Sequence, residues 1–168
     1  MQWFDWMSLG IILVVAVLET IRARNSGGFG QALFDALGLI TAAVGSTWLA
    51  GPVANLLGAQ KWIFTLGIFV LLAIGSLIVS RVLFSAAEWS SDSFDGVLSF
   101  AFGVACGWVI ANMTLRVLIQ QQGDLGDVSQ MMHNAPVARE VFRFRLWNML
   151  LRQLFNINLG PEIDIDVG

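Results

Sequence analysis

The stretch from Gly96 to Leu115 reads GVLSFAFGVACGWVIANMTL and contains no acid or base. Two of its features pull in opposite directions. Its length and greasiness suit a membrane-crossing helix, which needs roughly 20 mainly apolar residues. Its glycines at 96, 103 and 107 do not suit a helix in water, where each costs about 1 kcal/mol relative to alanine. Lipid removes the conflict. Helix association gains little from the hydrophobic effect in a bilayer, so small residues that let backbones approach are favoured at contacts.

The rest of the chain supports that solvent. Ala36–Gln60 and Trp62–Ser80 are also uncharged. Only 12% of the 168 residues are charged and 57% are hydrophobic, with a mean hydropathy of +0.73. A soluble domain carries roughly 25% charged residues. A shorter segment, Trp6–Ile21, has an apolar core at Gly10–Leu18, with Trp3, Phe4 and Trp6 as interfacial anchors. Asp5, and the lack of Lys or Arg among the first six residues, argue against a cleaved signal peptide.

These runs predict an all-α fold, a four-helix transmembrane bundle with a C-terminal amphipathic, interfacial helix. The spans are expected near 4–21, 31–50, 62–83 and 96–118, within a domain covering 1–118. Pro52 should stop the second near Gly51. The loop ARNSGGFGQ (23–31) reads as flexible, and Ser91, Ser93 and Asp95 are candidate N-caps for the fourth helix. A polar linker follows over 119–135, then an amphipathic helix over 136–156 and an acidic tail over 157–168. Pro136 suits a first helical position. Val137, Val141, Phe144, Trp147, Leu151, Leu154 and Phe155 then share one face, flanked by Arg139, Arg143, Arg145 and Arg152. Arginines beside an apolar stripe predict a helix lying on the membrane surface. Packing on the protein's own bundle, or on a partner, is the alternative.

The small residues form two ridges. Ser99, Gly103 and Gly107 lie four apart on the fourth helix, and Gly38, Ala42, Gly45 and Ser46 line the second. Both read as packing surfaces, serving either contacts within the chain or the seam of a homo-oligomer. The charged residues near the spans fall at one membrane face: Glu19, Arg22, Arg24, Asp35, Arg81 and Asp95. They read either as interfacial salt bridges and caps or as a functional polar cluster in a gate or docking site. Asn112 is expected to hydrogen-bond across helices.

Catalysis finds few parts. The chain has one His (His133), one Cys (Cys106, placed in a span) and no Tyr. No Gly-x-Ser-x-Gly elbow or metal-ligand spacing accompanies them, so no catalytic residue, metal or cofactor is expected. A net charge of −3 without a basic cluster beyond the C-terminal arginines points away from nucleic acid. The lipid bilayer is the expected partner, beside either more copies of the chain or an export or envelope protein. Counting Arg22, Arg24 and Arg81 against Lys61 and Arg116 favours both termini outside.

The sequence DGVLSFAFGVACG (95–107) resembles the fourth-helix signature of the colicin V production (CvpA) family, an Asp followed by a Leu, a Gly and a Gly-x-x-x-Gly pair. WFDWM (3–7) is similar to that family's aromatic-Asp-aromatic start, and Ile21-Arg22 with GGFGQAL (27–33) to its first loop. Gly96, where the family usually has Arg, and Ser99, where it has Gly, depart from the pattern. The likeness spans roughly residues 3–116. It implies a small bacterial inner-membrane protein serving bacteriocin production or export and envelope maintenance, with no agreed molecular activity. In some relatives the same unit is fused to a serine protease on the outer side. The function expected is therefore that of a non-enzymatic accessory or scaffold protein. An oligomeric small channel or transporter component is the alternative.

Overall fold

The computed structural model describes residues 1–26, 28–87, 94–123 and 126–143. These form helices α1 (Trp3–Ser26), α2 (Gly30–Leu57), α3 (Lys61–Ala87), α4 (Asp95–Gln122), α5 (Asp127–Met131) and α6 (Pro136–Arg143), with a 3-10 turn at Met132–Asn134. No strand occurs among the described residues. The first four helices are long and apolar enough to cross a membrane. At 1.5 Å per residue, α4 alone is about 42 Å long, more than a hydrocarbon core of about 30 Å. The fold is an all-α bundle, as its uncharged runs predict.

Backbone contact decides which spans pair. The space where a Cβ at Gly107 would sit lies 2.7 Å from the Ile12 Cα, and at Gly103 it lies 2.8 Å from the Ala16 Cα. Only glycine tolerates that approach, so α4 lies directly on α1. Gly38 does the same for α2 and α3, its missing Cβ falling 2.8 Å from that of Ser76, and Gly45 meets the end of Leu72. Two antiparallel pairs result, α1 with α4 and α2 with α3, and α1 hardly touches α2 although they are consecutive. The pairs join where Ala36, Leu39 and Ala42 of α2 meet Ala105, Cys106 and Val109 of α4, with Phe69 of α3 alongside. Both glycine ridges thus make contacts within one chain. Ala42, Ser46 and Ser99 are buried with them.

Several boundaries differ from those expected, each for an identifiable reason. α2 continues through Pro52 to Leu57 and ends on Gly58, which takes the left-handed conformation (φ 64°) and donates its N–H to the Ala54 carbonyl. A proline removes one backbone hydrogen bond and crowds the carbonyl four residues before it, and a transmembrane helix tolerates that where neighbouring groups re-satisfy the backbone. The first loop is a tight turn: α1 runs to Ser26, Gly28 donates back to the Ala23 carbonyl, and α2 begins at Gly30. The segment read as a linker over 119–135 is largely helical, comprising the end of α4, α5 and the 3-10 turn. The N-cap position of α4 is Phe94, without a side-chain cap, while Asp95 is its first helical residue; Ser91 and Ser93 lie outside the described residues.

The C-terminal helix starts at Pro136 as expected, and its described part ends at Arg143. Over these residues it packs on its own bundle. Ala135, Ala138 and Val141, three apart, are fully buried together with Val128 against Phe4, Ile12, Ala111 and Leu115. Arg139 and Arg143 remain on the exposed side. The buried line therefore runs through Ala138 instead of Val137. A small residue there lets α6 enter the groove between α1 and α4. Arg145, Trp147, Arg152 and the acidic tail lie outside the described residues.

Candidate functional site

Polar residues gather at the two ends of the bundle. At the end where α1 meets α2, Glu19 and Arg22 stand three apart on α1 and approach to 3.4 Å. Arg22 also reaches across to α2, its Nη1 donating to the Asp35 Oδ2 at 2.7 Å. Asp35 lies five residues past Gly30, about 7.5 Å along the axis, and is fully buried. Its other oxygen, Oδ1, has no hydrogen-bond partner among the described residues. A buried carboxylate is expensive unless paired, so Arg22 is what makes Asp35 tolerable in the span.

Gly103 sets the room available to Glu19, because a Cβ at Gly103 would stand 3.0 Å from the Glu19 Cβ. One glycine thus permits both the α1–α4 contact and the placement of an acid beside it. Asp95 serves elsewhere, accepting the Phe29 backbone N–H at 3.3 Å and so tying the start of α4 to the turn before α2. Phe29 stacks on Phe102 in the same junction. Ser80 on α3 donates to the Gln31 carbonyl at 3.5 Å. A cleft of about 690 Å³ opens between α1 and the α2–α3 pair, and Glu19, Arg22 and Arg81 stand on its wall. Of the six charged residues expected to cluster, Glu19, Arg22 and Asp35 are in direct contact and Arg81 shares their cleft. Asp95 joins the neighbouring turn, and Arg24 is exposed near the end of α1.

The opposite end holds the C-terminal segment. Asp5 is fully buried; its Oδ2 accepts the Gln2 N–H at 2.9 Å and its Oδ1 the Ala138 N–H at 2.9 Å. The first bond caps α1 and the second caps α6, a chain separation of more than a hundred residues. A carboxylate at a helix start also complements the helix dipole. The far end of α6 is fastened by Asn112, whose Nδ2 donates to the carbonyls of Val141 (2.9 Å) and Phe142 (3.0 Å). Trp108 Nε1 adds a bond to the Val141 carbonyl at 3.2 Å. Arg116 lies 5.6 Å from the Phe142 ring centre. Asn112 therefore does bond across helices, with α6 as its partner.

This latch was not visible in the sequence as a unit. Asp5 follows Gln2 by three, the capping-box spacing, but nothing local says that one oxygen serves a helix beginning at Pro136. His133 is exposed in the 3-10 turn and Cys106 is buried. Among the described residues no group of three or more His, Cys, Asp or Glu side chains could hold a metal. Set beside family models, curated proteins and solved structures, the chain matches none. The CvpA likeness accordingly rests on the residue patterns at 3–7, 21–33 and 95–107.

Proposed function

We propose that this chain is a non-enzymatic accessory or scaffold protein of the bacterial inner membrane, both termini outside, acting in colicin V-type production or export and in envelope upkeep. The observation that carries this reading is the packing of the bundle: α4 meets the α1 backbone at Gly103 and Gly107, Gly38 of α2 meets the Ser76 side chain of α3, and α6 fills the groove between α1 and α4. A module packed in this way is suited to holding a partner at its ends and outer faces. The exposed arginines of α6 and residues 88–93 are the segments through which it would do so. Photo-crosslinkers at Arg139, at Arg143 and in residues 88–93 test this in living cells. Adducts with an export or envelope protein are expected; recovery of the chain alone from every position would refute the proposal.

A second reading, an oligomeric channel or transporter component, draws on one observation. Asp35 is fully buried beside Arg22 with one oxygen unmatched among the described residues, and ionisable groups within spans commonly mark ion paths. Ion flux into proteoliposomes that is abolished by Asp35→Asn would favour it, and flux unchanged by that substitution would remove it.

A further inference from the structure

We propose that residues 126–143 are an exchangeable strap: the reversal at Gly123 and Gly126 directs α6 to its own groove, and without that reversal the same groove receives α6 of a second copy of this chain. The groove recognises α6 mainly through backbone. Asp5 Oδ1 accepts the Ala138 N–H at 2.9 Å near one end. Toward the other, Asn112 Nδ2 donates to the Val141 and Phe142 carbonyls at 2.9 and 3.0 Å. The side chains buried along this stretch are small, Ala135, Ala138 and Val141. Each of these bonds is made to backbone atoms that a second copy's α6 presents identically, so the groove itself does not distinguish the two sources.

The turn between α4 and α5 makes the distinction. Gly123 follows the last residue of α4 with φ 72° and ψ −173°, a conformation essentially restricted to glycine. Three residues on, a Cβ at Gly126 would collide with the Gln122 Cβ, and would stand 2.8 Å from Gln122 Oε1 and 3.2 Å from the Gly123 carbonyl oxygen. A Cβ does not move when its side chain rotates, so the collision has no rotameric relief. Three hydrogen bonds use this close approach. Gly126 donates its N–H to the Gly123 carbonyl at 3.1 Å, Ser129 Oγ donates to the same carbonyl at 3.1 Å, and Gln122 Oε1 accepts the Val128 N–H at 3.3 Å. The chain therefore doubles back onto α1 and α4 only while both positions are glycine. A short, conformationally demanding connection ahead of a docking element is the arrangement from which identical elements are exchanged between copies. The membrane adds to this, because it holds the grooves of neighbouring copies at one depth.

The test is the protein mass of the full chain purified in mild detergent, read together with hydrogen exchange over 136–143. Gly126→Ala should give roughly twice the mass of the native particle while 136–143 stays protected, because each groove is filled by the other copy's strap. Gly123→Ala should act likewise. Nothing lies within 4 Å of its added carbon, so it strains the turn without touching the spans and serves where Gly126→Ala lowers helicity by circular dichroism. Adding Asp5→Ala and Asn112→Leu to either variant should restore the native mass and deprotect 136–143, since the fastenings are the same in both forms. Gly75→Ala, whose added carbon also meets nothing, should change neither readout. Native mass in both turn variants would overturn the proposal: with 136–143 still protected, the turn tolerates a side chain, and with 136–143 deprotected, the strap opens without exchange. A doubled mass that persists after Asp5 and Asn112 are replaced would overturn it too, placing the contact between copies on another surface.

Discussion

Gly107→Ala adds one carbon at the tightest point between α1 and α4. The new Cβ would stand 2.7 Å from the Ile12 Cα, 3.0 Å from its carbonyl oxygen and 3.2 Å from its carbonyl carbon. Carbon atoms in comfortable contact are about 3.5–4.0 Å apart, so the two helices must separate by about 1 Å. All three obstructing atoms are backbone, and no side-chain rotation relieves them. Overpacking of this kind costs typically 1–3 kcal/mol. Separation also weakens the neighbouring contact at Gly103, which places the expected loss toward the upper half of that range. Unfolding of the purified chain by SDS titration in mixed micelles measures it. Gly75→Ala is the control, since no atom lies within 4 Å of the added carbon; it should fall within about 0.5 kcal/mol of the native chain. Equal stability of the Gly107→Ala and Gly75→Ala proteins would refute the claim that backbone contact holds α1 to α4. A stability loss accompanied by a fall in particle mass would show instead that the ridge serves a contact between chains.

Four further substitutions probe the two polar ends. Arg22→Leu should cost about 2–4 kcal/mol by stranding the buried Asp35 carboxylate, at the lower side because Arg22 is partly exposed. Arg22→Leu combined with Asp35→Leu should recover most of that loss in the same SDS titration, and a double variant no better than the single one would contradict it. Asp5→Ala leaves the Ala138 N–H without its acceptor in an apolar setting, a cost of about 1–3 kcal/mol; hydrogen exchange over 136–143 should accelerate while α2 and α3 are unaffected. Asn112→Leu should loosen the same segment from its other end by removing the donor to the Phe142 carbonyl and one of the two donors to the Val141 carbonyl, and protection of 136–143 equal to that of the native chain would count against the latch. Cys106, 1% exposed, should resist maleimide in mild detergent and react only once SDS separates α2 from α4.

The uncharged runs at 36–60, 62–80 and 96–115 make three spans legible because each run satisfies a length that lipid imposes, and the apolar core at 10–18 makes the first legible. The ridges at Gly38 and at Gly103–Gly107 were legible as packing surfaces for a related reason, since a bilayer rewards close approach. Which span each ridge would meet was not legible. The spacing of glycines along α4 says nothing about Ile12 and Ala16, which are ordinary apolar residues on α1. Pro52 misled because a helix in a membrane tolerates proline more readily than one in water, and α2 continues past it. The C-terminal helix was read from its arginines and large apolar residues, whereas its seat was determined by Ala135 and Ala138, whose small size lets α6 enter the groove. Of the charged residues, Arg22 and Asp35 could be placed at one face, but their pairing depended on the tight turn at 28–30 that brings α2 back beside α1.

The order of pairing also bears on biogenesis. The mate of α1 is the fourth span, which leaves the ribosome after the other three, while α2 and α3 can close as a hairpin as soon as both are inserted. Until α4 arrives, Ile12 and Ala16 have only lipid against them and Asp5 has no α6 to cap. The nascent protein thus passes through a stage in which its first helix is membrane-inserted yet unassembled, and a quality-control protease that senses unpaired helices has its opening there.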